Sequence, residues 1–179
     1  DDGNLVSGDG CTSECKSENP CFVGWDQPSV SINVSSHHLI GESSNDYAGH
    51  SVAGAGDLDN DGLSDVIVGA HRNDEGGVWA GAAYIFLGKS LSGVTSFNMD
   101  EADYKLVGES NEDHAGFTVA SAGDVDNDGK SDLLIHYFYG YFGGNYIGAV
   151  YLVLGSSLGD DPLIDLSNAD FVFIGEAAG

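Results

Sequence analysis

An internal repeat constrains this chain more than any other feature. The segment from His38, HLIGESSNDYAGHSVAGAGDLDNDGLSDVIV, aligns without a gap with KLVGESNEDHAGFTVASAGDVDNDGKSDLLI from Lys105. An offset of 67 residues takes Asp57 to Asp124, Gly41 to Gly108, Gly81 to Gly148 and Gly88 to Gly155. It also takes Gly108 to Gly175, where Ile174-Gly175-Glu176 repeats Val107-Gly108-Glu109. A third unit is therefore expected to begin near the end of the sequence.

Each unit reads as four short strands. In the first unit an outer strand ends near Leu39-Ile40, and an inner strand of small residues runs from Ser51 to Ala55. Two more strands follow, Asp65–Gly69 and Ala82–Leu87. The second unit repeats these at Thr118–Ala122, Asp132–Ile135 and Ala149–Leu154. Val, Ile, Leu and aromatic residues fill the strands, and the chain has 27 Gly against 3 Pro. A helix through Ala53–Ala55 fails on the glycines that interrupt it. A four-stranded unit of this kind cannot bury both faces alone, so neighbouring units must stack, radially as propeller blades or linearly as a solenoid. Inner strands of Gly, Ala and Ser suit a crowded axis and favour the radial form. The expected fold is all-β: β-propeller blades of four antiparallel strands, in an incomplete ring, since closure takes about 4–8 blades. The expected divisions are a Cys-rich stretch 1–22, a linker or the edge of a preceding blade at 23–35, blades 36–103 and 104–170, and the start of a third repeat at 171–179.

Between the inner strand and the next lie two acidic loops, Asp57-Leu58-Asp59-Asn60-Asp61-Gly62-Leu63-Ser64-Asp65 and Asp124-Val125-Asp126-Asn127-Asp128-Gly129-Lys130-Ser131-Asp132. In the pattern D-x-D-x-D-G-x-x-D, carboxylates at positions 1, 3 and 5 converge when the chain coils, and Gly at position 6 permits the turn. The carbonyls of Leu63 and Lys130 at position 7, and the acids Asp65 and Asp132 at position 9, complete a hard oxygen set that selects Ca²⁺ over softer metals. Two ions are expected, one per loop. An EF-hand would need Glu at position 12 and flanking helices, but Val68 and Ile135 stand there. A metal-free acidic turn is the competing reading. Its carboxylates would repel one another, and its recurrence at identical repeat positions would be unexplained.

The formal net charge of −24, five basic residues against 29 acidic, excludes nucleic acid as a partner. It fits both a solubilising surface and cation binding. No apolar run approaches the ~20 residues of a membrane-spanning helix. Cys11, Cys15 and Cys21 suggest a disulfide unit with a partner upstream of Asp1; a zinc site lacks a nearby His, and free buried thiols lack an apolar surround. No HExxH, GxSxG or Walker loop is present, so no enzyme is expected. His37, His38, His50, His71, His114 and His136 each read as surface or edge residues. Gly76-Gly77 and Gly143-Gly144 read as turns. The run Tyr137-Phe138-Tyr139-Gly140-Tyr141-Phe142 reads as packing beside a blade edge, or alternatively as a ligand face.

Two resemblances add to this reading. Asp1-Asp2-Gly3-Asn4 through Gly10-Cys11, with Cys15, resembles the cysteine-rich repeats of bacterial surface proteins of the myxobacterial type, which carry a Cys just before this motif. That resemblance implies an oxidising, extracellular location. Residues 36–179 resemble the FG-GAP repeats of integrin α-chain propellers and their bacterial relatives. They do so through Ala48-Gly49-His50-Ser51, Ala55-Gly56-Asp57, the acidic loops, Val68-Gly69-Ala70 and Gly81-Ala82-Ala83-Tyr84. Ala115-Gly116-Phe117, Ala122-Gly123-Asp124 and Gly148-Ala149-Val150-Tyr151 match in the second unit. The chain departs from the family where Phe-Gly becomes Ala48-Gly49 and Ala115-Gly116, and where Gly-Ala-Pro becomes Gly69-Ala70-His71 and His136-Tyr137-Phe138. The resemblance implies a seven-bladed ring, calcium loops on one rim and a protein or glycan ligand on the other. It leaves two functions open: a secreted or cell-surface adhesion propeller, or an accessory propeller of an extracellular enzyme such as a phospholipase or other hydrolase.

Overall fold

Apolar residues alternating between Gly, Asp and Asn turns form short strands in the computed structural model, which describes residues 38–92, 96–138, 141–142, 145–146 and 148–176. They belong to one compact unit, His37–Gly179. The cysteine stretch and the linker expected at 23–35 lie outside the described residues. No helix among the described residues is long and apolar enough to cross a membrane.

The strands of the first repeat are β1 (His38–Ile40), β2 (Ser51–Gly56), β3 (Asp65–Ala70), β4 (Ala82–Phe86) and β5 (Ser96–Asn98). Those of the second are β6 (Tyr104–Val107), β7 (Thr118–Gly123), β8 (Asp132–Tyr137), β9 (Tyr141–Phe142), β10 (Asn145–Tyr146), β11 (Ala149–Val153) and β12 (Leu163–Asp165). β13 (Phe171–Ile174) follows. One sheet has the order β2-β3-β4-β6-β12 and the next β7-β8-β11-β13; β1 pairs with β5 and β9 with β10. These are two propeller-like blades, all-β, with no closed ring among the described residues.

Sequence repeat and sheet are out of phase by one strand. The outer strand read into the second unit, and the strand that opens the third, belong to the preceding sheet. β4 pairs antiparallel with β6 of the second repeat, Ala83 opposite Leu106, and β11 pairs with β13, Val150 opposite Phe173. The chain returns beside its own sheet before crossing to the next one. Sequence self-comparison fixes the period but not where in the period a sheet begins. A further pairing was not anticipated: β12 lies parallel to β6, and β5 lies parallel to β1 at the same repeat offset.

Alternation along β3 and β4 sends Ile67, Ala83 and Ile85 to one face and Val68, Tyr84 and Phe86 to the other. The first set packs with Val119, Leu133, Ile135 and Tyr151 of the second sheet in a shared core. The second set packs with Met99 and Val107 on the opposite face. The inner strands β2 and β7 run beside each other, and Ser51 Oγ donates to the Gly116 carbonyl at 2.8 Å. Gly69 permits this approach, because a Cβ there would lie 2.0 Å from the Gly116 oxygen. β2 leads into the first acidic loop and β3 leaves it, so 57–65 and 124–132 occupy one end of the sheets. The connections 71–81 and 108–117 occupy the other.

Candidate metal loops and an aromatic rim

In the first acidic loop, Asn60 and Gly62 take left-handed backbone angles (φ 60° and 87°), and Asn127 and Gly129 repeat them (64° and 93°). This coiling turns the backbone amides inward. Asp57 accepts from the amides of Asp61 (3.0 Å) and Gly62 (2.9 Å), while Asp61 accepts from Leu63 at 2.8 Å. Asp124 likewise accepts from Asp128 (3.1 Å) and Gly129 (3.0 Å), and Asp128 from Lys130 at 2.8 Å. The result is two carboxylate triads, Asp57-Asp59-Asp61 and Asp124-Asp126-Asp128, each with one oxygen per residue gathered within 4.8 Å.

The donor set fits a hard cation. Asp59 Oδ1 is buried without a hydrogen-bond partner, which costs stability unless a cation compensates it. The Asp126 carboxyl is pushed up by desolvation and by the charges of Asp128, Asp132 and Asp124. The loops differ in one respect: Lys89 Nζ pairs with Asp59 Oδ2, whereas its repeat counterpart is Ser156.

Asp65 and Asp132 adjoin the triads and also hold backbone amides. Both are buried, at 1% and 0% exposure. Asp65 accepts from the amides of Leu58 and Gly88, each at 2.7 Å. Asp132 accepts from Val125 (2.7 Å) and Gly155 (2.9 Å). Each carboxylate thus ties the loop entrance to the end of the third strand of its sheet. Burial raises the Asp65 pKa, against the pull of those two amides. Leu63 and Lys130 sit at the turn with their amides held by Asp61 and Asp128.

The loops also touch each other. Ser131 donates its amide to the Asp57 carbonyl at 2.7 Å, and its hydroxyl accepts from the Asp57 amide at 3.1 Å. Position 1 of one loop is therefore fixed by position 8 of the next.

At the opposite end the structure corrects the reading of the histidines. His71 and His114 are buried (7% and 9% exposed), and His50, His71 and His114 gather with Phe117. Ring centres are 4.4 Å apart for His50 and His71, 5.8 Å for His71 and His114, and 4.9 Å for His50 and Phe117. His136 joins through Phe117 at 6.2 Å. Burial first, then the neighbouring His50, His114 and Arg72, push His71 down to about 4. The signal was present in the repeat: Tyr47 and His114, His50 and Phe117, and His71 and Phe138 are equivalent pairs. Each blade places rings at the same three positions, so rings of unlike chemistry converge. Of the aromatic run, Tyr137 is buried and stacks on Tyr151 at 4.6 Å, as edge packing requires. Phe138 is 43% exposed and stacks on Phe117 at 5.2 Å.

Paired antiparallel blades, inner strands side by side and an acidic loop in the first hairpin of each define a propeller-like repeat protein. The FG-GAP repeat family model matches residues 48–86, which span β2 to β4, so the chain carries an integrin-α-like FG-GAP repeat. It is 36% identical over 129 residues, 70% of its length, to integrin alpha-PS5 of Drosophila melanogaster. Over 131 residues, 69% of its length, it is 34% identical to human integrin alpha-IIb. Over 100 residues, 54% of its length, it is 35% identical to integrin alpha pat-2 of Caenorhabditis elegans. The matched regions cover 12%, 12% and 8% of those relatives, so the chain spans only a small part of their length.

Proposed function

We propose that this chain is a calcium-binding, non-catalytic propeller segment of a secreted or cell-surface protein, serving adhesion through a protein or glycan ligand. One observation carries the calcium reading: two carboxylate triads at identical repeat positions, one with a buried oxygen that lacks a partner. In each loop Asp57, Asp59 and Asp61, or Asp124, Asp126 and Asp128, supply oxygens. Leu63 and Lys130 would add their backbone carbonyls at position 7, and Asp65 and Asp132 their carboxylates at position 9. Bound calcium supplies positive charge that offsets the repulsion within each triad. Likeness to integrin α-chains supports the extracellular, adhesive reading, and the acidic net charge agrees with it.

Calcium titration of the whole chain by calorimetry tests this, with two ions expected. Asp61→Ala and Asp128→Ala should each remove one ion. Lys89→Ser, which gives the first loop the Ser156 of the second, should tighten the first site alone by a few fold, since it frees Asp59 Oδ2 from an exposed ion pair. A stoichiometry unchanged by both Asp variants would overturn the site assignment.

A further inference from the structure

The acidic loops leave the other rim unexplained, and one group there is anomalous. Arg72 is the only arginine in a chain of net charge −24, yet among the described residues it pairs with no carboxylate. Lys89 and Lys105 both do, with Asp59 and with Glu42 and Glu75. Nearby acids are committed elsewhere: Asp46 to the Asn73 amide at 2.8 Å, and Asp74 to the backbone of Trp79 at 2.8 Å. Arg72 Nε is buried with no hydrogen-bond partner. A guanidinium left this way in so acidic a molecule is poised for an external anion.

Its surroundings narrow the anion. The guanidinium carbon lies 4.9 Å from the Tyr47 ring centre and 5.1 Å from that of Trp79. Both rings are about half exposed, at 51% and 42%. Tyr47 and Trp79 have φ of 57° and 55°, a backbone region that bulky side chains rarely adopt and that clusters at ligand sites. His71, nine-tenths buried beside Tyr47 at 5.4 Å, keeps Nδ1 without a partner.

We infer that Arg72, Tyr47 and Trp79 form a site for one carboxylate-bearing sugar, a uronic acid residue within an otherwise neutral glycan. The inference rests on the ligand-binding reading above and names the ligand class. The guanidinium fork takes a carboxylate through two parallel N–H···O bonds. The guanidinium lies over both rings, and Trp79 also stacks on His114 at 6.0 Å. The half of each ring that stays exposed therefore borders the fork and offers apolar surface to the C–H side of the same pyranose. A polyanionic glycan or a phosphate chain is repelled by the rest of the surface, which leaves an isolated carboxylate. An acidic peptide would use the guanidinium but leave the rings idle.

The test is an NMR titration of the whole chain, reading the Trp79 indole and the Arg72 side chain. The probes are a disaccharide of glucuronic acid and a neutral sugar, its methyl ester, and an acetylated Asp-Gly peptide amide. The acid disaccharide should shift both signals in the millimolar range or tighter. The ester and the peptide should bind at least about tenfold more weakly, as expected for loss of a bidentate charged contact. Arg72→Lys, which keeps the charge and loses the fork, should cost about tenfold, and Trp79→Ala a similar factor. Equal binding of acid and ester, no shift at Trp79, or undiminished binding by Arg72→Lys overturns the inference. Peptide binding equal to the sugar overturns it too and assigns the rim to a protein ligand. If the sugar fails while calcium titration still gives two ions, this inference falls and the calcium reading stands.

Discussion

Asp113 illustrates how single residues diverge within a repeated frame. Its repeat counterpart Asp46 accepts from the Asn73 side chain at 2.8 Å, whereas Asp113 accepts from the Ser110 amide at 2.9 Å and has Gly140 in place of that Asn. Burial, reinforced by the charge of Glu109, pushes the Asp113 carboxyl up to about 6. A folded-state pKa above the unfolded value gives stability that is complete at low pH and is lost as pH rises from about 4 through 6. Asp113→Asn cannot ionise and escapes that loss. It should therefore be more stable than the parent at pH 7.5 by about 1–2 kcal/mol, with no gain at pH 3.5. Paired urea melts at the two pH values check this, and an equal difference at both would refute it.

Between elements, the contact of β3 with the second sheet at Gly69 is set by backbone rather than side chains. A Cβ at Gly69 would meet the Gly116 oxygen at 2.0 Å and Ser51 Oγ at 2.3 Å, while one at Gly54 in β2 would meet nothing within 4 Å. Gly69→Ala should force the blades apart and cost about 1–3 kcal/mol, the range for overpacking. Gly54→Ala should be close to neutral, and denaturant melts of the two variants separate packing from strand propensity. One tether crosses the same boundary elsewhere: Tyr151 in β11 donates to Glu109, which follows β6, at 2.5 Å. Tyr84 in β4 donates to Glu42, which follows β1, at 2.6 Å, so the same Tyr–Glu latch recurs at the repeat offset.

Across the whole molecule, charge and topology act together. The two acidic loops sit at one end of adjacent sheets, joined through Ser131 and Asp57, in a chain whose net charge of −24 favours expansion. Calcium bound to the folded loops as proposed would stabilise by mass action, about 2.7 kcal/mol per site at a hundredfold excess over Kd. Chelation with EDTA should lower the melting temperature by roughly 5 °C or more, at about 2–4 °C per kcal/mol for a chain of this size. Asp61→Ala/Asp128→Ala should melt low and be insensitive to EDTA. An unchanged parental melt would remove calcium as a stabilising element.

Most of the blade was legible in the sequence because its cues are local. Short runs of Val, Ile, Leu and aromatic residues marked β3, β4, β8 and β11, and runs of small residues marked the inner strands β2 and β7. The D-x-D-x-D-G spacing marked the triads, since three carboxylates two residues apart on a coiled turn must converge. What the sequence could not determine was partnership at a distance. Strand β6 reads identically whether it closes its own sheet or the preceding one, and hydrogen bonding to β4 decided it. Asp65 and Asp132 read as ligands by spacing; the hydrogen bonds that also tie them to the amides of Gly88 and Gly155 are not visible in that spacing. The rings at positions 47, 50 and 71 of each unit were visible as residues but not as a cluster. Only the side-by-side placement of two sheets brings His71, His114 and Phe117 together and leaves Arg72, between Tyr47 and Trp79, without a carboxylate partner among the described residues. Sequence set the period, the strands and the acidic turns through local chain geometry. Tertiary structure set which groups meet, because contacts between residues distant along the chain depend on how one sheet seats against the next.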